Sequence, residues 1–147
     1  MKTILAAVDT SNMRDAVVAE AVALARGGSA RVVLLTIVQP PVLTSEYAPV
    51  VENFGELIAA GERAAATLLA GVRQRVEAEG VTVETVQAAG APVAHILEQA
   101  QKFNANYIVM GSHGHTAFYD LLVGSTTHGV LMRANCPVVI VPPMKKR

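Results

Sequence analysis

The sequence predicts an α/β fold: a single doubly wound domain, with a five-stranded parallel sheet and helices on both of its faces. Three observations predict it. Short apolar stretches alternate with helical patterns along the 147 residues. Apolar residues make up 52% of the chain and aromatics only 4%, a Val, Ile, Leu and Ala core that suits strands covered on both sides. The resulting order, β-α-β-α-β-α-β-α-β, is the mark of parallel strands joined by right-handed crossovers.

The strands are expected at Thr3–Val8, Arg31–Val38, Thr82–Ala88, Tyr107–Met110 and Val138–Val141. They are β-branched, short and mostly unalternated, as buried strands should be. The first helix is expected over Arg14–Arg26, where Val17, Val18, Ala21, Val22, Leu24 and Ala25 recur at helical spacing, with Gly27 and Gly28 as its stop. The second runs from about Glu56 to Glu79, with Leu57, Ala64, Leu68, Val72 and Val76 as one stripe and Gly80 ending it. Pro92–Phe103 carries Val93, Ile96, Leu97, Ala100 and Phe103, with Pro92 placed for a first turn. A fourth helix is expected from near Ser125 to about Arg133, before Pro137. Gln39–Asn53, with three prolines, is the one long irregular connection. No internal repeat or domain boundary is visible, so residues 1–147 read as one domain.

Composition excludes several function classes. Twelve basic residues balance twelve acidic ones, and Lys145-Lys146-Arg147 reads as a solvated tail, so nucleic acid is not an expected partner. The one cysteine, Cys136, cannot form an intramolecular disulfide and reads as a buried thiol ahead of the last strand. The apolar run Ile4–Val8 is shorter than a signal-peptide core and stops at Asp9. Nothing approaches eighteen consecutive apolar residues. No membrane is expected, and the expected location is the cytoplasm.

Open parallel sheets bind ligands beyond the carboxyl ends of their strands, where the winding reverses. Here the first strand runs into "VDTSN" and the fourth into "VMGSHGH". If these strands are neighbours, Asp9 and Gly111 face each other across the crevice. Asp9 could accept hydrogen bonds from ribose or base. Gly111 and Gly114 let bare backbone approach an anion, and Gly124-Ser125-Thr126 opens a helix whose N-terminus favours negative charge. A second reading stands beside this: the glycines serve turns, and Ser125 only caps the last helix. No Gly-Lys-Ser/Thr follows the glycines, and Asp9-Thr10-Ser11 stands where a dinucleotide fingerprint would begin.

These residues resemble the universal stress protein (UspA-like) family, whose nucleotide-binding members carry G-x2-G-x9-G-[ST] after the fourth strand. Gly111, Gly114, Gly124 and Ser125 match that pattern in full. The resemblance spans essentially the whole chain and includes "ILAAVDTS", "AAGAPVAHILEQA" and "ANCPVVIVP". It implies the strand order 3-2-1-4-5, ATP in the crevice, and a nucleotide-dependent regulatory or signalling module of the stress response. By resemblance, Asp9 and Thr10 contact adenosine and the Val38 backbone bonds the adenine. Gly111, Gly114, Gly124, Ser125 and Thr126 cradle the phosphates, with Met110 and His113 flanking them. Mg²⁺ is expected only as carried by the nucleotide. The family commonly dimerises through its last strand, here Val138, Val139, Ile140 and Val141, an apolar edge that needs covering. A further protein partner is implied without being identified.

One position departs from the family. His115 stands where many members place Arg or Lys, which shifts the expectation toward pH-dependent binding or toward ADP or AMP. His113, His115 and His128 match no zinc spacing, so no protein-held metal is expected. Efficient ATP hydrolysis is not expected either, because no basic residue lies between Gly111 and Gly124 and Asp9 belongs on the adenosine side. The alternatives are a dimeric interaction protein of the same fold without nucleotide, a slow ATPase, or an ATP pyrophosphatase, whose SGGxDS loop is missing here.

Overall fold

The computed structural model of the chain describes residues 1–39, 53–113 and 123–143. The elements follow in the order β1 (Lys2–Ala7), α1 (Arg14–Gly28), β2 (Ala30–Val38), α2 (Phe54–Ala78), β3 (Val83–Ala89), α3 (Pro92–Lys102), β4 (Tyr107–Gly111), α4 (Ser125–Arg133) and β5 (Val138–Val141). Among the described residues, the five strands form one all-parallel sheet in the order β3-β2-β1-β4-β5. The winding reverses between β1 and β4, which are paired over Ile4–Tyr107, Leu5–Ile108 and Ala6–Val109. The ladder between β2 and β3 is longer and runs from Val32–Val83 to Val38–Ala89.

Side chains alternate between the two faces of a strand, and both faces here are covered. Ile4, Ala6, Val32, Leu34 and Val109 point to one face, where they pack with Val17, Val18 and Ala21 of α1 and with Leu69, Val72 and Val76 of α2. Leu5, Val33, Leu35, Ile108 and Met110 point to the other, against Ile96 of α3 and Val130 of α4. That two-sided burial is why the strand segments read as nearly continuous apolar runs.

The differences from expectation have local causes. Helix α1 runs through Gly27 and Gly28, and Ser29 takes the left-handed conformation that ends it (φ 52°), its N–H bonding the Ala25 carbonyl. A glycine inside a helix costs only about 1 kcal/mol, so the pair weakens the last turn without stopping it. The stripe on α2 is Ala65, Leu69, Val72 and Val76. Leu57 is exposed, and Ala64 is exposed beside buried Ala65, off the buried stripe. Gly80 does take a positive φ of 77° after α2.

The described part of Gln39–Asn53 is limited to its two ends. Residues 40–52, and the tail Lys145-Lys146-Arg147, lie outside the described residues. Among the described residues, no helix is long and apolar enough to cross a membrane.

Candidate functional site

A cavity of about 380 Å³ opens at the carboxyl ends of β1, β2 and β4, at the point where the winding reverses. Its apolar wall is Ala7, Val8, Leu35, Ile37 and Met110 from the strands with Val17 and Ile96 from the helices. Its polar rim holds Asp9, Ser11, Arg14, Gln39, His113, Ser125, Thr126 and Thr127. An apolar wall with a few convergent polar groups is the usual make-up of a small-molecule site.

Three helices begin at this cavity, because in a parallel sheet every helix starts where a strand has ended. The first turns of α1 (Arg14), α3 (Pro92) and α4 (Ser125) all line it. Their N-cap residues, Met13, Ala91 and Gly124, make no side-chain cap. Backbone N–H groups at an uncapped helix start can meet a ligand, and the helix dipoles add positive potential. At α1, however, the Met13 and Arg14 N–H groups already donate to Ser11 Oγ and the Ser11 carbonyl, and α3 begins with Pro92. The second reading, in which Ser125 only caps α4, is not what the structure has. Gly124 is the N-cap and Ser125 the first helical residue, which leaves the Ser125 hydroxyl out of any capping bond.

The glycine at the end of β4 is held by packing. A side chain at Gly111 would sit 3.1 Å from Met13 Cε and 3.2 Å from the His113 carbonyl oxygen. Met13 is buried and bridges the start of α1 to the end of β4. The Gly111 carbonyl accepts a 2.7 Å hydrogen bond from Thr127 Oγ1. Gly124 N–H donates to the Ser112 carbonyl at 2.7 Å, and Ser112 N–H donates to Val141 O at 2.9 Å. These bonds dock α4 and β5 onto the end of β4. On the opposite lip, Asp9 accepts from Ser11 N–H at 2.8 Å, an Asx turn that fixes the carboxylate at the cavity rim. Ser112 Oγ lies 3.1 Å from His113 Nδ1.

Of the residues singled out from sequence, Asp9, Met110, Gly111, His113, Gly124, Ser125 and Thr126 converge on this one cavity. Thr10 is exposed and does not line it. Gly114 and His115 lie outside the described residues. Val38 is displaced by strand parity. Its carbonyl accepts from Gly90 N–H at 3.0 Å, toward β3, whereas the Leu35 carbonyl accepts from Val8 N–H at 2.9 Å, toward β1. Alternate residues direct their backbone groups to opposite neighbours, so the peptide groups of Ile37 face the crevice beyond the end of β1. Ile37 and Gln39 line the cavity in place of Val38.

Met13, Arg14 and Thr127 were not expected at the site. The run of hydroxyls after Gly124 was the signal for Thr127, while nothing in the sequence marks how α1 docks. His128 is exposed on α4 away from the cavity, and His95 sits on α3 with Glu98 Oε2 3.8 Å from its Nδ1. Among the described residues, no group of three His, Cys, Asp or Glu side chains could hold a metal ion. Cys136 is half-buried beside the core, and that burial raises its thiol pKa.

A family model described as the universal stress protein family matches residues 1–142. Universal stress protein YxiE of Bacillus subtilis is 30% identical over 144 residues, covering 93% of this chain and 96% of the relative. The solved structure of the universal stress protein UspA from Lactobacillus plantarum superposes with a TM-score of 0.83 at 28% identity, covering 95% of this chain and 97% of that one. A second solved universal stress protein, in complex with cAMP, superposes with a TM-score of 0.66 at 25% identity and covers 96% of each chain.

Proposed function

The chain belongs to the universal stress protein family, and from that premise we propose that it binds an adenine nucleotide, ATP first among them, and works as a nucleotide-dependent regulatory module of the stress response. The observation that carries this reading is the cavity at the strand-order reversal, where an apolar wall meets the uncapped starts of three helices. A similar fold holding cAMP supports an adenine ligand.

The residues present fit such a ligand. Ala7, Leu35, Ile37 and Met110 offer an apolar slot for a purine, and the Ile37 peptide faces its edge. Asp9 stands where ribose hydroxyls would donate. The N–H groups at the start of α4, with the Ser125 and Thr126 hydroxyls, would receive phosphate oxygens. A divalent cation would enter with the nucleotide, neutralising part of its charge.

We assign binding rather than turnover. Phosphoryl transfer to water needs a base poised on that water and charge neutralised at the terminal phosphate. On this reading Asp9 serves the ribose, away from the terminal phosphate received at α4. The natural setting for such a module is the cytoplasm, where adenine nucleotides are abundant.

The edge strand β5 supports a homodimer. Val138, Val139, Ile140 and Val141 are all half-buried, and Leu131 and Met132 nearby on α4 are 47% and 70% exposed. A second copy would cover this edge.

Calorimetric titration of ATP, ADP and AMP tests the reading. We expect saturable binding of at least one of them in the micromolar range, about −8 kcal/mol. No heat from any adenine nucleotide overturns it and leaves the dimeric, ligand-free interaction protein as the surviving alternative.

A further inference from the structure

Arg14 is in an unfavourable place for a residue that only builds a helix. It is the first residue of α1, where the macrodipole favours acids and a cation is unfavourable by several tenths of a kcal/mol. Its side chain lines the cavity and is 33% exposed. Its Nε is buried and has no hydrogen-bond partner among the described residues. The nearest carboxylate, Asp15, lies 3.6 Å from that Nε, but the same Asp15 oxygen is already bonded by Arg75 Nη1 at 2.9 Å. Asp15 is 66% exposed, which places the shared charge on the solvent side. A guanidinium carries five N–H donors and suits bidentate contact with phosphate. Arg14 therefore brings a permanent charge, and an Nε without a hydrogen bond among the described residues, to a cavity whose only described carboxylate is that of Asp9.

Position selects the part of the ligand that meets it. Arg14 follows Met13, whose terminal methyl and sulfur pack 3.1 and 3.2 Å from where a side chain would begin at Gly111. The start of α1 is thus held against the glycine end of β4. We propose that Arg14 is the fixed cation of this site and receives the phosphate tail of the nucleotide from the α1 lip, across from the start of α4. This inference rests on the nucleotide reading above and adds the residue that makes the site prefer phosphorylated ligands. It also supplies, from a different element, the permanent charge that the sequence lacks between Gly111 and Gly124.

The test compares adenosine and ATP on the wild-type protein, Arg14→Gln and Arg14→Lys by calorimetry at two salt concentrations. Arg14→Gln should weaken ATP about tenfold or more, leave adenosine within about twofold, and flatten the salt dependence. Arg14→Lys should keep part of the ATP preference, since it keeps the charge and loses the fork. Without ligand, the Gln variant should melt at or above the wild-type temperature, because it removes a charge opposed to the helix dipole. Equal ATP affinity in the wild type and Arg14→Gln overturns the role of Arg14 and leaves nucleotide binding standing. Parallel loss of ATP and adenosine, or a lower melting temperature without ligand, marks a structural residue and also overturns it. A wild-type protein that binds neither compound removes both proposals together.

Discussion

At the amino ends of the strands the polar groups close on one another, whereas at the carboxyl ends several of them line a cavity. On the closed side, Thr3 N–H donates to Asn106 Oδ1 at 2.9 Å and Asn106 N–H donates to the Thr3 carbonyl at 2.8 Å. Arg31 Nε donates to Thr3 Oγ1 at 2.9 Å, Nη1 approaches Glu84 at 3.5 Å, and the guanidinium lies 5.5 Å from the centre of the Phe103 ring. On the open side, among the described residues, Arg14 Nε makes no hydrogen bond and three helices start without side-chain caps. Arg31 on β2 and Arg14 at the start of α1 thus have opposite employment. The contrast teaches that this fold bonds elements together at both ends of its strands but turns a guanidinium toward a cavity only at the carboxyl end, among the described residues.

Breaking the open end should affect ligand and spare the fold. Gly124 has φ −73° and ψ 165°, which any residue adopts, so Gly124→Val is expected to fold. A branched side chain there would stand over the phosphate approach. We expect at least a tenfold loss of ATP affinity, about 1.4 kcal/mol or more, measured calorimetrically. Retained binding would move the phosphate site away from α4.

Breaking the closed end should do the reverse. Asn106→Ala leaves the Thr3 amide without its side-chain acceptor, at a cost of about 1–3 kcal/mol in urea unfolding. Nucleotide affinity should stay within about twofold. A loss of affinity without a loss of stability would dissolve the division between the two ends.

The smallest effect lies on the outer surface beside the open end. The Arg75 guanidinium holds the Asp15 carboxyl below the ordinary carboxylate range. A carboxylate whose pKa is lowered by folding stabilises the protein above its unfolded value, and that contribution fades as pH falls through the lowered one. Both side chains are more than half exposed, so solvent screening keeps the pair below about 1 kcal/mol. Asp15→Asn should therefore be slightly less stable than wild type near pH 7 and indistinguishable in strong acid. A gap that persists in acid would assign the effect to something other than this charge.

The strands were legible because burial on both faces writes apolar runs directly into the chain. The helices were legible through their period, and Gly80 and Pro92 mark ends as their positions suggested, whereas Gly27 and Gly28 do not stop α1. The lining of the cavity was legible where residue type marks it, as at Asp9, Gly111 and Ser125. It was not legible where relative placement decides it. Val38 and Ile37 differ only in which neighbour their peptide groups face, and that is settled by pairing with β1 and β3. Arg14 and Met13 look like ordinary first-turn residues until α1 is laid against the end of β4.

The seam between β1 and β4 has one further consequence. Its ladder is registered over three residue pairs, against seven between β2 and β3. The cavity lies directly above that short join, with walls drawn from both sides of it. A molecule bridging Asp9 and the start of α4 would act as a rivet across the least stitched line of the sheet. Slow amide exchange at Leu5 and Ile108 would then become a gauge of occupancy, recording in the core whether the mouth of the site is filled.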